Sequence, residues 1–310
     1  MNHHRGVDLS LERIEAAAEE INPIFLNTPQ FVDERLSAAL GREVLVKVET
    51  LNPIGSFKGR GTWLLARELD PTSTWVCATA GNFGQGLAYA ARARGARVQI
   101  FASADAPPAK LDRMRALGAR VEVREASGSA AREYAADSDE RILVVDGLDP
   151  AIAEGAATIG VELGSAVPLD AVVVQIGDGA LISGVARWLK SIRPQTRVVG
   201  VCASGAPAMA RSFAAGRPVA TPGTDTIAAA LSITEPVPES LARILALVDE
   251  VVMVDDEHLR DAIGLVAETL GLLVEPAGAA GVAALSRHRA QLPGERVAVV
   301  LTGAGTPAAT

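Results

Sequence analysis

Val44-Leu45-Val46-Lys47-Val48 and then Leu51-Asn52-Pro53-Ile54-Gly55-Ser56-Phe57-Lys58-Gly59-Arg60-Gly61 read as an apolar strand, a Pro- and Gly-bearing turn and the opening of a helix. Further strands are predicted at 75–79, 97–101, 142–145, 171–176, 197–202, 251–254 and 297–302, with helical patterns at 84–94, 107–117, 180–192 and 257–270 between them. Strands alternating with helices of this length predict an α/β fold: two open, mostly parallel twisted sheets flanked by helices. In such sheets ligands gather where loops leave the carboxyl ends of strands. The closest approach to a flexible region is 204–226, rich in Gly, Pro, Ser and Thr.

Composition narrows the function. Of 310 residues 49% are apolar and only 4% aromatic, as in a globular α/β enzyme. A net charge of −8 argues against nucleic acid or an anionic membrane as partner. No apolar run approaches the length of a membrane span. The polar start, Met1-Asn2-His3-His4-Arg5, lacks the apolar stretch of a secretory signal, and the lone Cys77 and Cys202 read as reduced core residues, so a cytoplasmic setting is expected. His3, His4, His258 and His288 have no partners at metal-ligand spacing; neither a metal site nor a Ser-His-Asp triad is expected. Lysine occurs only at Lys47, Lys58, Lys110 and Lys190, leaving four candidates for amine chemistry.

Four Gly-bearing loops follow strands. In the first, Lys58 opens a helix, where the positive dipole end and partial burial both disfavour its charged form. The second is Thr79-Ala80-Gly81-Asn82-Phe83-Gly84-Gln85-Gly86, whose N–H groups make a carboxylate or phosphate cradle. The third is Gln175-Ile176-Gly177-Asp178-Gly179-Ala180-Leu181-Ile182-Ser183-Gly184. Ile182 takes the third glycine position of a dinucleotide fingerprint and no acid ends the next strand, so only a simple phosphate cradle survives. The fourth pairs Glu275-Pro276-Ala277-Gly278-Ala279 with Leu301-Thr302-Gly303-Ala304-Gly305. Taken singly, these segments read equally well as tight turns.

In this order, from about residue 28 to 306, the four loops resemble fold-type II pyridoxal-phosphate enzymes, in the serine/threonine dehydratase branch. The resemblance implies pyridoxal 5'-phosphate as cofactor, carried as a Schiff base on Lys58, which is also the catalytic base. It places Phe57, Asn82, Gly177, Asp178, Gly179, Ala180, Leu181, Glu275 and Thr302 against the cofactor, with Thr302 facing the pyridine nitrogen. It places Ser56, Thr79, Ala80, Gly81, Asn82 and Phe83 at a small amino-acid substrate. Thr226-Ile227-Ala228-Ala229-Ala230 stands where the family has Thr-Ile-Ala-Asp-Gly. The domains implied are a large one from 1–73 and 148–310, and a small one from 74–147 that closes on the substrate; the family's usual state is a homodimer.

A neutral hydroxyl at the ring nitrogen leaves that nitrogen unprotonated and favours expulsion of a β-leaving group. The expected reaction is therefore β-elimination from a β-hydroxy amino acid such as serine or threonine, giving a 2-oxo acid and ammonia. A β-replacement synthase, or a protein that binds the cofactor without turning over, carries the same motifs. Four departures narrow the reading. Ala80 stands where racemising relatives have a proton-donating Ser, so little racemisation is expected. Phe83 replaces a common His and favours a less polar substrate. Asp178 puts a carboxylate in the phosphate cradle, where it must point outward or meet a donor. Cys202 and Pro207 stand at cation-binding positions of some relatives, so no metal is expected there.

Overall fold

Among the described residues ten strands form two separate sheets, the central ones from the apolar, β-branched runs. A computed structural model describes residues 7–104, 106–292 and 294–305; His3, His4 and residue 306 lie outside them. The chain begins α1 (Leu11–Glu20), β1 (Gln30–Val32), α2 (Glu34–Leu40), β2 (Glu43–Val48) and α3 (Lys58–Glu68). It continues β3 (Thr74–Ala78), α4 (Asn82–Arg94), β4 (Arg97–Ala102), α5 (Pro108–Ala116), β5 (Arg120–Val123), α6 (Ser127–Ala136) and β6 (Arg141–Leu143). There follow α7 (Pro150–Gly164), β7 (Ala171–Gln175), α8 (Ala180–Ile192), β8 (Arg197–Ala203), α9 (Ala208–Ala215), α10 (Pro238–Leu247), β9 (Glu250–Val254), α11 (Asp256–Leu270), α12 (Pro276–Arg287) and β10 (Arg296–Leu301).

One sheet has the order β1-β2-β10-β7-β8-β9 and the other β5-β4-β3-β6. All pairings are parallel except β1 with β2. Every residue of β7 is buried, as expected of a strand covered by helices on both faces. Asp149 and Asp255 cap α7 and α11, each accepting an N–H of the first turn. Helix α8 lies so close on α7 that a Cβ on Gly184 would stand 2.1 Å from Ala153 O.

Behind α3 lies a charged cluster that is enclosed except at Glu162. Arg60 Nη2 and Nε donate to the two oxygens of Glu49 at 2.8 and 2.9 Å, and its Nη1 donates to Glu162 Oε1 at 2.6 Å. Lys47 joins through Glu162 Oε2. The side chains of Arg60, Glu49 and Lys47 are 0% exposed, so each charge depends on its partners rather than on water. This cluster anchors the helix that Lys58 opens.

Strands β1 and β5 were not anticipated. Both are sheet edges: β1 has three residues, with Phe31 and Val32 exposed, and β5 alternates Arg and Glu with two Val. The 204–226 stretch is more ordered than its composition predicts. It contains α9, ended by Gly216 at φ 66°, and Asp225 N donates to Gly205 O at 2.8 Å.

Candidate active site

The loops after β2, β3, β6, β7 and β10 converge on a cavity of about 180 Å³. Two backbone hydrogen bonds tie the loops after β2 and β10 together, Phe57 N to Thr302 O at 3.1 Å and Ala304 N to Gly55 O at 2.8 Å, and a third, Glu275 N to Gly303 O at 3.0 Å, adds the residue that precedes α12. The cavity wall contains Phe57, Lys58, Thr79, Ala80, Gly81, Asn82, Phe83, Gly177, Asp178, Gly179, Ala180, Leu181, Glu275 and Thr302. Ser56 is not among them. It is completely buried, and its Oγ accepts the Lys58 N–H at 3.3 Å, which corrects its assignment to the substrate. The start of α3 turns Ser56 inward as it turns Lys58 toward the cleft.

Lys58 Nζ is 4.9 Å from the Phe57 ring centroid and 5.7 Å from that of Phe83. It forms an ion pair with Asp146 Oδ2. Sequence reading missed Asp146; its only signal was a carboxylate just past a strand end. Its other oxygen, Oδ1, is buried without a partner. The expectation of an amine kept neutral by the helix start took no account of this carboxylate.

Asp178 is half-buried between Lys58 and Asp146. Burial, then the charge of Asp146, push its carboxyl up to about 7, while Lys58 pulls the other way. Burial thus works against a charge on this carboxyl in the turn that the sequence reads as an anion cradle. Gly179 turns the chain into α8 at φ 95°, a conformation suited to glycine.

Glu275 uses both oxygens. Oε1 accepts from Asn82 Nδ2 at 2.9 Å and Oε2 from Lys110 Nζ at 2.8 Å. Gln85 Nε2 donates to Asn82 Oδ1 at 3.2 Å, which fixes the orientation of the Asn82 amide. Lys110 was visible in sequence only as one of four lysines. Gln175, also unanticipated, donates through Nε2 to Thr302 Oγ1 at 2.7 Å. The rest of the wall is apolar, including Pro107, Ala229, Ala230, Leu231 and Ile233.

The family described as pyridoxal-phosphate dependent enzyme matches residues 21–303. A phenylserine dehydratase of Ralstonia pickettii is 38% identical over 291 residues, 91% of this chain and 89% of that protein. An L-threonine ammonia-lyase of Thermotoga maritima is 33% identical over 302 residues, 95% of this chain and 75% of that protein. Among solved structures, the T.th. threonine deaminase superposes with a TM-score of 0.91 at 30% identity, covering 97% of this chain and 100% of that one. Maize serine racemase does so at 0.89 and 29%, covering 96% and 94%.

Proposed function

The chain belongs to the family of pyridoxal-phosphate dependent enzymes, and on that premise we propose a β-hydroxy amino acid with an apolar β-substituent as its substrate, with Lys58 as the catalytic amine. It is a lyase of the dehydratase and ammonia-lyase branch, performing β-elimination.

The cavity fits the cofactor on its own chemistry. It presents the Lys58 amine near two aromatic rings, a glycine-bearing turn at a helix start, and a buried hydroxyl whose hydrogen has no protein acceptor among the described residues. Lys58 would hold the aldehyde carbon, Gly177 to Leu181 the phosphate, Asn82 and Glu275 one edge of the ring, and Thr302 the ring nitrogen. When bound, the cofactor supplies a carbonyl that condenses with amines and a ring that draws electrons from the substrate α-carbon.

The chain's own groups do the rest. Lys58 Nζ takes the α-proton, and Asp146 Oδ2 stabilises the ammonium that results. The turn from Thr79 to Asn82 offers N–H groups to the substrate carboxylate. Phe57 and Phe83 place apolar ring faces near the amine. Ala80 has no proton to give to the opposite face, which leaves elimination unopposed.

The observation that carries the substrate class is the apolar wall of Ala80, Phe83, Pro107, Ala229, Ala230, Leu231 and Ile233; among the described residues the cavity's cations are Lys58 and Lys110, each already paired with a carboxylate. The reading extends to a cytoplasmic homodimer. Both cysteines are unpaired and buried, as suits a reducing compartment, and β1 leaves Phe31 and Val32 exposed on an open edge. Among the described residues no helix is long and apolar enough to cross a membrane.

The test is 2-oxo acid release from serine, threonine, 3-phenylserine and 3-hydroxyaspartate, in each configuration, beside Lys58→Ala. Threonine or phenylserine should lead and the variant should be inactive. Preference for hydroxyaspartate would sink the substrate class; undiminished activity in the variant would sink the role of Lys58.

A further inference from the structure

Gln175 ends β7 with a side chain buried to 5% exposure, and its amide is held in one orientation. Nε2 lies 2.8 Å from Ala277 O, 3.1 Å from Val300 O and 2.7 Å from Thr302 Oγ1. Two of these neighbours are carbonyls, which only accept, so a flipped amide would set oxygen against oxygen. The β7–β10 ladder ends at the pairing of Val173 with Val299, and the Gln175 side chain takes over from there by reaching Val300 O. Its own Oε1 is buried without a partner, a burial cost offset by the two Nε2 hydrogens, which are shared among three acceptors.

This geometry has a direction. An amide nitrogen cannot accept, so the bond to Thr302 runs from Gln175 to the hydroxyl oxygen. The single hydrogen of Thr302 Oγ1 then points away from Gln175. Thr302 is 4% exposed, lines the cavity, and donates to no protein group among the described residues.

We propose that Gln175 is a positioning residue: by donating to Thr302 Oγ1 it commits that hydroxyl to donate into the cleft, so the cofactor's ring nitrogen is held there as an unprotonated acceptor. This rests on the reading that places Thr302 at the ring nitrogen. Without the amide the hydroxyl is free to rotate and accept from a protonated nitrogen. The ring would then draw electrons more strongly, and expulsion of the β-group would lose its advantage over reprotonation at the α-carbon.

The experiment loads wild type, Gln175→Leu, Thr302→Val and the double variant with cofactor labelled with 15N at the ring nitrogen, and follows the 15N shift from about pH 6 to pH 9. Wild type should hold the position of an unprotonated, hydrogen-bonded nitrogen throughout. Gln175→Leu should show a titration toward the protonated position inside that range. Thr302→Val should move the opposite way, to a nitrogen without a donor, and the double variant should match Thr302→Val alone. Gln175→Met, flexible and of similar length, carries the same expectation where the Leu variant does not fold. A Gln175 variant indistinguishable from wild type, or one that shifts the signal equally in the Thr302→Val background, overturns the inference. No change in Thr302→Val itself would mean that Thr302 does not meet the ring nitrogen, and would remove the placement on which the inference stands.

Discussion

Replacing Asp178 by Asn keeps the shape of the cradle and removes its titration. In the folded protein the carboxyl rises from an ordinary 3.8 to about 7, so folding takes up a proton between those values. The sign follows from linkage. Below about pH 4 both folded and unfolded chains hold the proton and the group costs nothing. As pH rises toward 7 the unfolded chain ionises freely while the folded one resists, and stability falls until the folded carboxyl also ionises. The ceiling is about 4 kcal/mol by pH 8, and solvent reaching the half-buried side chain reduces it to roughly 2 kcal/mol. With a urea m-value of about 3 kcal/mol/M, Asp178→Asn should raise the unfolding midpoint by roughly 0.7 M at pH 8 and hardly at all at pH 4. Lys58→Ala should widen the gap, because Lys58 opposes the rise. Cofactor affinity should fall above pH 7 in wild type, as the ionised carboxylate meets the phosphate, and stay flat in the variant. Urea titrations of cofactor-free protein at the two pH values decide the matter. A midpoint difference that is constant with pH, or largest at pH 4, would refute the reasoning.

Three other outcomes are expected. Arg60→Met leaves the enclosed Glu49 carboxylate without its bidentate partner and should cost about 3–5 kcal/mol, read as a lower urea midpoint. Gly184→Ala drives a methyl toward Ala153 O at the α7–α8 contact and should cost at least about 1–3 kcal/mol, seen as a lower melting temperature. Phe83→His adds a polar group beside Lys58; the ratio of kcat/KM for serine over phenylserine should rise roughly tenfold.

The central strands were legible because burial on both faces demands unbroken apolar runs, and α8 spans the residues that its spacing predicts. Edge strands carry no such demand, so β1, three residues long and mostly exposed, and β5, partly exposed and partly charged, left little trace. Ser56 misled because closeness to Lys58 in sequence does not put two side chains in one cleft: Ser56 lies two residues before the helix begins, and its buried hydroxyl accepts the Lys58 N–H. Asp146 was illegible for the opposite reason. An aspartate after a strand is ordinary, and only folding brings it across 88 positions to the amine. Gln175 did leave a mark, a lone amide closing an all-apolar strand, but its partner Thr302 is 127 positions away.

β10 is the last of the ten strands in sequence, yet it lies in the interior of its sheet, between β2 and β7. Until residues 296–301 leave the ribosome, β2 and β7 each present a bare row of peptide groups to the surroundings, and Thr302 cannot yet face the cleft. The cleft is thus completed late in the synthesis of each chain, after nearly all that the structure describes. Closure across such sequence distances is intrinsically slow, and the waiting strands are where a stalled or truncated chain would stick to its neighbours.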